Sequence, residues 1–310
     1  MVIQSERIWI NQQFIAAQIK LHLHKIIDIL PYNSEPVDHD YGNHRIVPGF
    51  IDNHIHGAYG HDTNDANPEG LETIMRGLVS EGVTSFCPTT ITQSTEVLTH
   101  ALSTVAQVAK KNLRGAQIVG IHLEGPFLNK AFKGAQPEQH ITKSDVVLFE
   151  TFYKASNQLI KIITMASEED EGYQLIHRCK ELNVAISLGH SGATYEEAMF
   201  AVAHGATCMT HTFNRMSELH HRAYNLTGAA HRLSGVYAEI IADGNHVVWP
   251  AIYTLMMSKG PFHTILISDA LSVKGNPQGE YVLGGQHIEV KEDGGAYLKG
   301  TTTLAGSTIK

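Results

Sequence analysis

The sequence has few cysteines, no long apolar run and no excess of positive charge. Its three cysteines lie far apart among 310 residues and form no Cys-x-x-Cys pair, which favours free thiols in a reducing cytoplasm over a disulfide framework. No stretch has the length that spans a bilayer, and the N-terminus lacks the apolar segment of a secretory signal. A formal net charge of −8 argues against nucleic acid or an anionic membrane as the main partner. These absences predict a soluble cytoplasmic protein. A small anionic substrate remains compatible with them if local cations offset the overall field.

Two patterns of predicted secondary structure follow one another along the chain. Residues 1–46 contain short alternating strands, among them Ile19–Leu30, and predict a small antiparallel β unit. From residue 47, short apolar strands alternate with helical segments, which predicts an α/β fold of the (β/α)8 TIM type. An open doubly wound sheet is the alternative, although no Gly-x-Gly-x-x-Gly follows a strand. The expected barrel strands are Phe50–His54, Val83–Pro88, Ile118–Leu123, Ile160–Met165, Val184–Leu188, Thr207–Thr210, Val236–Ile241 and Thr264–Ser268, and the expected helices include Pro68–Glu81, Ser94–Lys110, Gly172–Leu182 and Tyr195–His204.

The pattern of predicted secondary structure changes again after the eighth predicted strand. The glycine-rich segment 271–300 predicts β-hairpins inserted into the barrel domain of residues 47–310. Residues 304–307 are then expected to begin a helix. No eighth crossover helix follows, and no strands follow that would complete a β-sandwich with residues 1–46. The chain is therefore shorter than the predicted fold requires.

Two histidines end the first predicted barrel strand. His54 and His56 are two residues apart, and residues i and i+2 of a strand share a face, so both imidazoles can bind one ion. Gly57 lets the backbone turn away beneath them. The same spacing at His22 and His24 lies in an alternating strand between two lysines, where a solvated face is the better interpretation.

Further strand ends carry residues suited to metal or proton chemistry. Glu124 ends the third strand, His190 the fifth and His211 the sixth, and this set suits a divalent transition metal that keeps a position open for water. The strand-one histidines would complete a second site, with Glu124 as the bridge. His122 shares a face with Glu124 and is interpreted as a hydrogen-bonded barrel residue.

Asp269 follows the eighth strand and is interpreted as the general base. A metal would lower the pKa of water and polarise a carbonyl, while Asp269 would accept a proton and return it to a leaving amine. Taken singly, Asp269 also fits a helix N-cap, and Glu124 a structural ion pair. The recurrence of such residues on five strand ends favours the metal site.

Cationic side chains fall in the predicted loops after strands six and seven. Arg215, Arg222 and His246 would form a patch able to hold a phosphate through charge-assisted hydrogen bonds. Solvated loop charges are an equally good interpretation.

Several short motifs follow one another from residue 47 over nearly the whole remaining chain. They are PGFIDNHIHG, HLEGPF followed by KGAQP, LGHSGAT, THTFNRM, ADGNH, ISDA and TLAGS. Together they resemble the N-acetylglucosamine-6-phosphate deacetylase family of the amidohydrolase superfamily. The resemblance implies hydrolysis of the acetamide of N-acetylglucosamine 6-phosphate to glucosamine 6-phosphate and acetate. It also implies metal ligation by Glu124, His190 and His211 and proton transfer by Asp269.

The resemblance further implies the cofactor, the assembly and the substrate contacts. One or two divalent ions per subunit are expected, of zinc, iron, manganese or cobalt. Family members that use a single metal lack the strand-one histidine pair, so its presence here favours two. A homodimer is implied because the phosphate-binding arginine, here Arg222, commonly reaches across the dimer interface. Gln136 stands where other members carry a histidine. The substrate contacts implied are Ala135, Gln136, Asn214, Arg215, Arg222, His246, Leu304, Ala305 and Gly306.

Two other functions remain open at this stage. The first is a different amidohydrolase that cleaves amides; such enzymes often use a carboxylated lysine after strand four, and residues 163–166 contain none. The second is a catalytically silent sugar-phosphate-binding protein, which would follow if the chain is truncated.

Overall fold

The computed structural model describes residues 1–23, 25–111, 113–283 and 285–309. The chain divides into two compact units, residues 1–50 and 51–310. The boundary therefore lies after residue 50, where the sequence predicted it after residue 46. No helix among the described residues is long and apolar enough to cross a membrane.

The first unit is a five-stranded sheet. The prediction of a single strand over Ile19–Leu30 is wrong, because a turn at Leu23, whose φ is +45°, separates two antiparallel strands. His22 is exposed at the end of one of them, and His24 lies outside the described residues. A second sheet that would complete a sandwich stays a prediction. The strands are Val2–Ile10, Gln13–His22, Lys25–Pro31, His39–Asp40 and Arg45–Ile46.

Eight parallel strands form a closed barrel, which confirms the predicted fold class. Strands three to eight pair in chain order, and a bridge between Thr89 and His122 joins the second strand to the third. The barrel closes where the amide of Asp269, after the last strand, donates to the carbonyl of His54 in the first (2.8 Å). The strands are β1 (Phe50–Ile55), β2 (Val83–Pro88), β3 (Ile121–Glu124), β4 (Ile160–Met165), β5 (Ala185–Leu188), β6 (Cys208–Met209), β7 (Tyr237–Ile241) and β8 (Thr264–Ile267).

Among the described residues, one α-helix follows each of the first seven strands. Their starts carry capping side chains: Asn67 accepts from two amides of the first turn, and Thr194 and Glu197 form a reciprocal capping box. The four predicted helices are confirmed to within two residues at each end. The helices are α1 (Pro68–Val79), α2 (Thr95–Ala109), α3 (Val146–Ala155), α4 (Gln174–Glu181), α5 (Tyr195–His204), α6 (Asn225–Arg232) and α7 (Trp249–Lys259).

An antiparallel sheet follows β8, and within the described residues no α-helix does. The expectation that residues 304–307 begin a helix is wrong, because Leu304–Gly306 is a strand that pairs with Ala296–Leu298. The next residue, Ser307, pairs with a different segment: its amide donates to the carbonyl of Asp269 (2.8 Å). The backbone groups of residues 304–307 are thus hydrogen-bonded to neighbouring segments, and a helix would have to break these bonds. The strands of this sheet are Gly279–Leu283, Gln286–Val290, Ala296–Leu298 and Leu304–Gly306.

The inner face of the barrel is polar and hydrogen-bonded. His122 on β3 contacts Thr164 on β4 (2.8 Å), Thr164 contacts Thr210 (2.7 Å), and Thr210 donates to Ser187 on β5 (2.6 Å). All four side chains are fully buried. Because successive residues of a strand point to opposite faces, their apolar neighbours, such as Ile163, belong to the layer between strands and helices. That layer forms the hydrophobic core, whereas the inner face supports the polar site above it.

Replacing Thr210 with valine should lower the free energy of unfolding by about 1–3 kcal/mol, because Thr164 and Ser187 would keep their shape but lose a buried partner. The measurement is chemical denaturation followed by circular dichroism. Thr207→Val, at an exposed position directly before β6, is the matched control and should change stability by less than about 0.5 kcal/mol. Equal effects of the two substitutions would contradict a stabilising polar interior.

Candidate metal centre

Three candidate site residues have a left-handed backbone directly beyond the barrel strands. His190 follows β5, His211 follows β6 and Asp269 follows β8, with φ values of +48°, +32° and +47°. For residues other than glycine this region costs about 1–3 kcal/mol and persists only where the surroundings enforce it. Such strain is concentrated at functional sites. In each case the turn follows the strand end, where a barrel displays its active-site residues.

The side chains of Glu124, His190 and His211 converge on one point. His190 Nε2 and His211 Nε2 are 3.2 Å apart, and each lies 3.3 Å from Glu124 Oε1. Two ligands at about 2.0–2.1 Å from a tetrahedral ion are about 3.3–3.4 Å apart. The triangle therefore has the dimensions that one transition-metal ion requires. All three residues are buried.

A second set of ligand atoms adjoins the first across the Glu124 carboxylate. Glu124 Oε1 lies 3.5 Å from His54 Nε2, and Glu124 Oε2 lies 3.3 Å from His56 Nε2. Asp269 Oδ1 lies 3.1 Å from His56 Nε2 and 3.6 Å from His54 Nε2. The carboxylate thus stands between two groups of imidazoles, as a ligand bridging two ions would.

Two atoms at the centre of these sets have no hydrogen-bond partner among the described residues. Glu124 Oε1 and His54 Nε2 are both buried from solvent. A buried polar atom without a partner costs about 1–3 kcal/mol, and an ion is one of the few explanations for it in a folded protein. The donor set of carboxylate and imidazole suits a divalent transition metal. The residues present therefore fit such an ion.

Electrostatics in the site favour added positive charge. Burial by itself lowers the pKa of His54, but Glu124 and Asp269, together with Glu239, outweigh it and raise that pKa to about 9. Burial raises the pKa of Glu124, yet the imidazoles around it, led by that of His54, hold it well below its usual value. A divalent cation would neutralise the same cluster of buried carboxylates without protonated imidazoles.

Hydrogen bonds on the far ring nitrogens aim two of the imidazoles. His190 Nδ1 contacts the Phe132 carbonyl (2.9 Å), and His54 Nδ1 contacts Glu239 Oε2 (3.1 Å). Because the proton of each ring is on Nδ1, where it is donated to these acceptors, Nε2 keeps its lone pair for an ion. Sequence reasoning missed Glu239, although a carboxylate within the apolar strand β7 was a visible signal. Its other oxygen accepts from Asn53 Nδ2 (2.8 Å).

His122 belongs to the barrel wall, as its sequence context predicted. It forms a third possible ligand group with His54 and Glu239. Both of its ring nitrogens, however, are engaged, with the Asn53 carbonyl (3.0 Å) and Thr164 Oγ1 (2.8 Å). Burial lowers the pKa of His122 to about 4, so the ring is neutral. It therefore connects strands and has no lone pair free for a metal.

A cavity of about 480 Å³ opens above the two ligand sets. This volume lies within the usual range for a small-molecule site. Arg222 is exposed and is not part of the cavity lining in the described part of this chain. The predicted substrate residues that do line the cavity are Ala135, Gln136, Asn214, Arg215, His246, Leu304, Ala305 and Gly306.

Two polar residues of the cavity wall are held by specific partners. Gln136 Nε2 donates to Glu124 Oε2 (2.7 Å), while Gln136 Oε1 accepts from the amide of Thr92 (2.8 Å). Its amide therefore fixes the orientation of the central carboxylate. His246 Nδ1 contacts Asp243 Oδ2 (2.7 Å), which leaves His246 Nε2 as the ring nitrogen available to a ligand.

The barrel and this site agree with comparisons against known proteins. A model of the amidohydrolase family matches residues 45–267. An N-acetylglucosamine-6-phosphate deacetylase from Bacillus subtilis (strain 168) is 41% identical over 268 residues, which are 86% of this chain and 67% of the relative. An N-acetylgalactosamine-6-phosphate deacetylase from Escherichia coli O157:H7 is 34% identical over 264 residues, 85% of this chain and 69% of the relative.

A solved structure gives the same result. It is a variant N-acetyl-D-glucosamine-6-phosphate deacetylase from Mycobacterium smegmatis in complex with N-acetyl-D-glucosamine 6-phosphate. Its TM-score to this structure is 0.94 at 28% identity, and the match covers 100% of this chain and 81% of that one. The chain belongs to the amidohydrolase family and, within it, to the N-acetylglucosamine-6-phosphate deacetylases.

Proposed function

We propose that this protein hydrolyses the acetamide of N-acetylglucosamine 6-phosphate, releasing acetate and glucosamine 6-phosphate. The observation that carries the proposal is the triangle of Glu124, His190 and His211, with Asp269 beside it at the floor of the cavity. Relatives that share the barrel and the motifs are named for this reaction.

In this proposal, Glu124, His190 and His211 would hold one divalent ion, and His54 and His56 would hold a second, with Glu124 as a ligand common to both sites. When bound, such an ion polarises the substrate carbonyl and lowers the pKa of water. Zinc, iron, manganese and cobalt all accept this donor set. Gln136 and Glu239 keep the ligand atoms oriented through their hydrogen bonds to Glu124 and His54.

Asp269 is the group proposed to move the proton. Burial raises its pKa, but His54 and His56 outweigh burial and lower it, so the carboxylate is ionised and able to accept a proton. Asp269 accepts that proton from the attacking water and delivers it to the nitrogen of the departing amino sugar, so that the amine leaves as a neutral group.

The rim of the cavity is proposed to hold the phosphate. Arg215 and His246 line the cavity of this chain, and both can donate hydrogen bonds to phosphate oxygens. Arg222 would be contributed by the second subunit of a homodimer. Residues 304–306 would contact the sugar. A cytoplasmic location is proposed as well, supported by three buried cysteines without disulfides.

Replacing Asp269 with asparagine should lower kcat for acetate release by about 10²–10⁴-fold, because the amide cannot accept a proton. The variant should retain its metal, measured by elemental analysis. Asp145→Asn is the matched control: Asp145 caps α3, asparagine also caps helices, and activity should not change. Turnover by Asp269→Asn at the normal rate would show that the base has been assigned wrongly.

Metal content should separate the two proposed ion sites. We expect two ions per subunit in the protein and about one in His56→Asn, because the Glu124, His190 and His211 set stays complete. Chelation should abolish acetate release, and added metal should restore it. Full activity in protein shown to be metal-free would refute the proposed chemistry.

Arg222→Ala should weaken binding of the phosphorylated sugar by about 1.5–3 kcal/mol, the usual contribution of a hydrogen bond to a charged group. Binding of unphosphorylated N-acetylglucosamine should be unaffected. Arg114→Ala, at an exposed position outside the cavity lining, is the control. Equal losses for both sugars would remove Arg222 from the phosphate site. The 4-epimer, N-acetylgalactosamine 6-phosphate, assayed in parallel, measures selectivity at the sugar.

A further inference from the structure

Glu168 lies outside the ligand sets but connects the two loops that meet at His190. It occupies a short 3-10 helix, Ser167–Glu169, directly after β4. One carboxylate oxygen accepts from Asn129 Nδ2 (3.0 Å) and from the amide of Gly192 (2.5 Å). The other oxygen accepts from Ser191 Oγ (2.6 Å). Three donors from the loops after β3 and β5 thus converge on one side chain.

The same two loops supply both halves of the hydrogen bond that orients the His190 ring. The carbonyl of Phe132, in the loop after β3, accepts from His190 Nδ1 (2.9 Å). The backbone of Asn129 holds this loop in place. Its N–H group donates to the His190 carbonyl (3.0 Å), and its carbonyl accepts from the backbone N–H group of Phe132 (2.9 Å). Through Asn129 on one side and Ser191 on the other, Glu168 fixes the separation between ring and acceptor.

The backbone at His190 explains why a fixed separation is needed. His190 has φ of +48°, a conformation that a residue with a side chain adopts only when its surroundings enforce it. The loop on its C-terminal side is crowded as well, since a Cβ on Gly192 would lie 2.6 Å from Cε2 of the Phe132 ring. The backbone of Ser191 is bonded to Arg215 and Ser217 (both 3.1 Å), whereas in the described chain the Ser191 hydroxyl and the Gly192 amide donate to Glu168.

We propose that Glu168 is a positioning residue for the metal centre, which sets the direction of His190 by clamping the loops after β3 and β5. In the described part of the chain, Glu168 belongs neither to the groups of possible ligands nor to the lining of the cavity above them. This inference rests on the proposed metal-dependent function, because it assigns the clamp to the geometry of that site. It adds a part of the site that comes from the segment directly after β4.

The test is cobalt binding to the metal-free protein, followed by equilibrium titration and by the visible absorption spectrum of the bound ion. Glu168→Gln offers one acceptor oxygen in place of two and turns an N–H group toward the donors of the other loop. We expect cobalt affinity to fall by about 10–100-fold, as for other residues that orient a metal ligand. The spectrum of the remaining complex should change, because the direction of His190 toward the ion changes.

Glu169→Gln is the matched control, since the neighbouring side chain makes no hydrogen bond or ion pair with the described residues of either loop. It should bind cobalt as the unmodified protein does. Ser191→Ala removes only one of the three bonds and should give a smaller loss of affinity in the same direction. This variant decides the matter if Glu168→Gln fails to fold.

Three outcomes overturn the proposal. A folded Glu168→Gln variant with unchanged cobalt affinity and spectrum would make Glu168 a loop-stabilising residue only. Unchanged binding by Ser191→Ala, where Glu168→Gln does not fold, would lead to the same conclusion. If the unmodified protein binds no cobalt, the proposed function itself fails, and the clamp with it.

Discussion

The site depends on one buried carboxylate that several imidazoles share. Glu124 is surrounded by His54, His56, His190 and His211, all within 3.5 Å of one of its oxygens. A charged carboxylate in a buried position is costly unless opposite charge or hydrogen bonds compensate for it. Gln136 supplies just one neutral donor to Glu124, so most of the compensating charge must lie among the four imidazoles. A cation between the imidazoles meets this requirement directly.

Stability and chemistry are divided between the two faces of the barrel strands. The outer face packs against the seven helices and carries the apolar core. The inner face carries threonine, serine, histidine and glutamate side chains that bond one another from strand to strand. An apolar interior could not hold Glu239 or orient His54, because each needs a polar partner at a fixed distance. The interior polar layer is therefore the foundation of the metal centre.

The geometry of the candidate site also depends on turns that the backbone disfavours. His190, His211 and Asp269 all leave their strands through left-handed conformations. Their geometry is enforced by neighbours distant in sequence, such as the carbonyl of His54 for Asp269. This arrangement explains how short strands, with loops of differing length, bring six side chains to a common point.

The sequence by itself determined the barrel strands and the candidate ligands. Short apolar runs between helical segments define the strands, and histidine or carboxylate at five strand ends indicates the candidate site, because strand ends share one edge of the barrel. Patterns of this kind are local, so they can be read from neighbours along the chain. Other features cannot be predicted from local patterns. They are the strand at residues 304–306, where a helix was expected, and the contacts of Glu239 and Glu168. Each depends on a partner far away in sequence: Asp269 for Ser307, His54 for Glu239, and Asn129 and Ser191 for Glu168. These partners are known only from the tertiary structure. A hydrogen bond requires that donor and acceptor lie within about 3 Å of each other, and the order of residues along the chain does not tell which distant residues come that close.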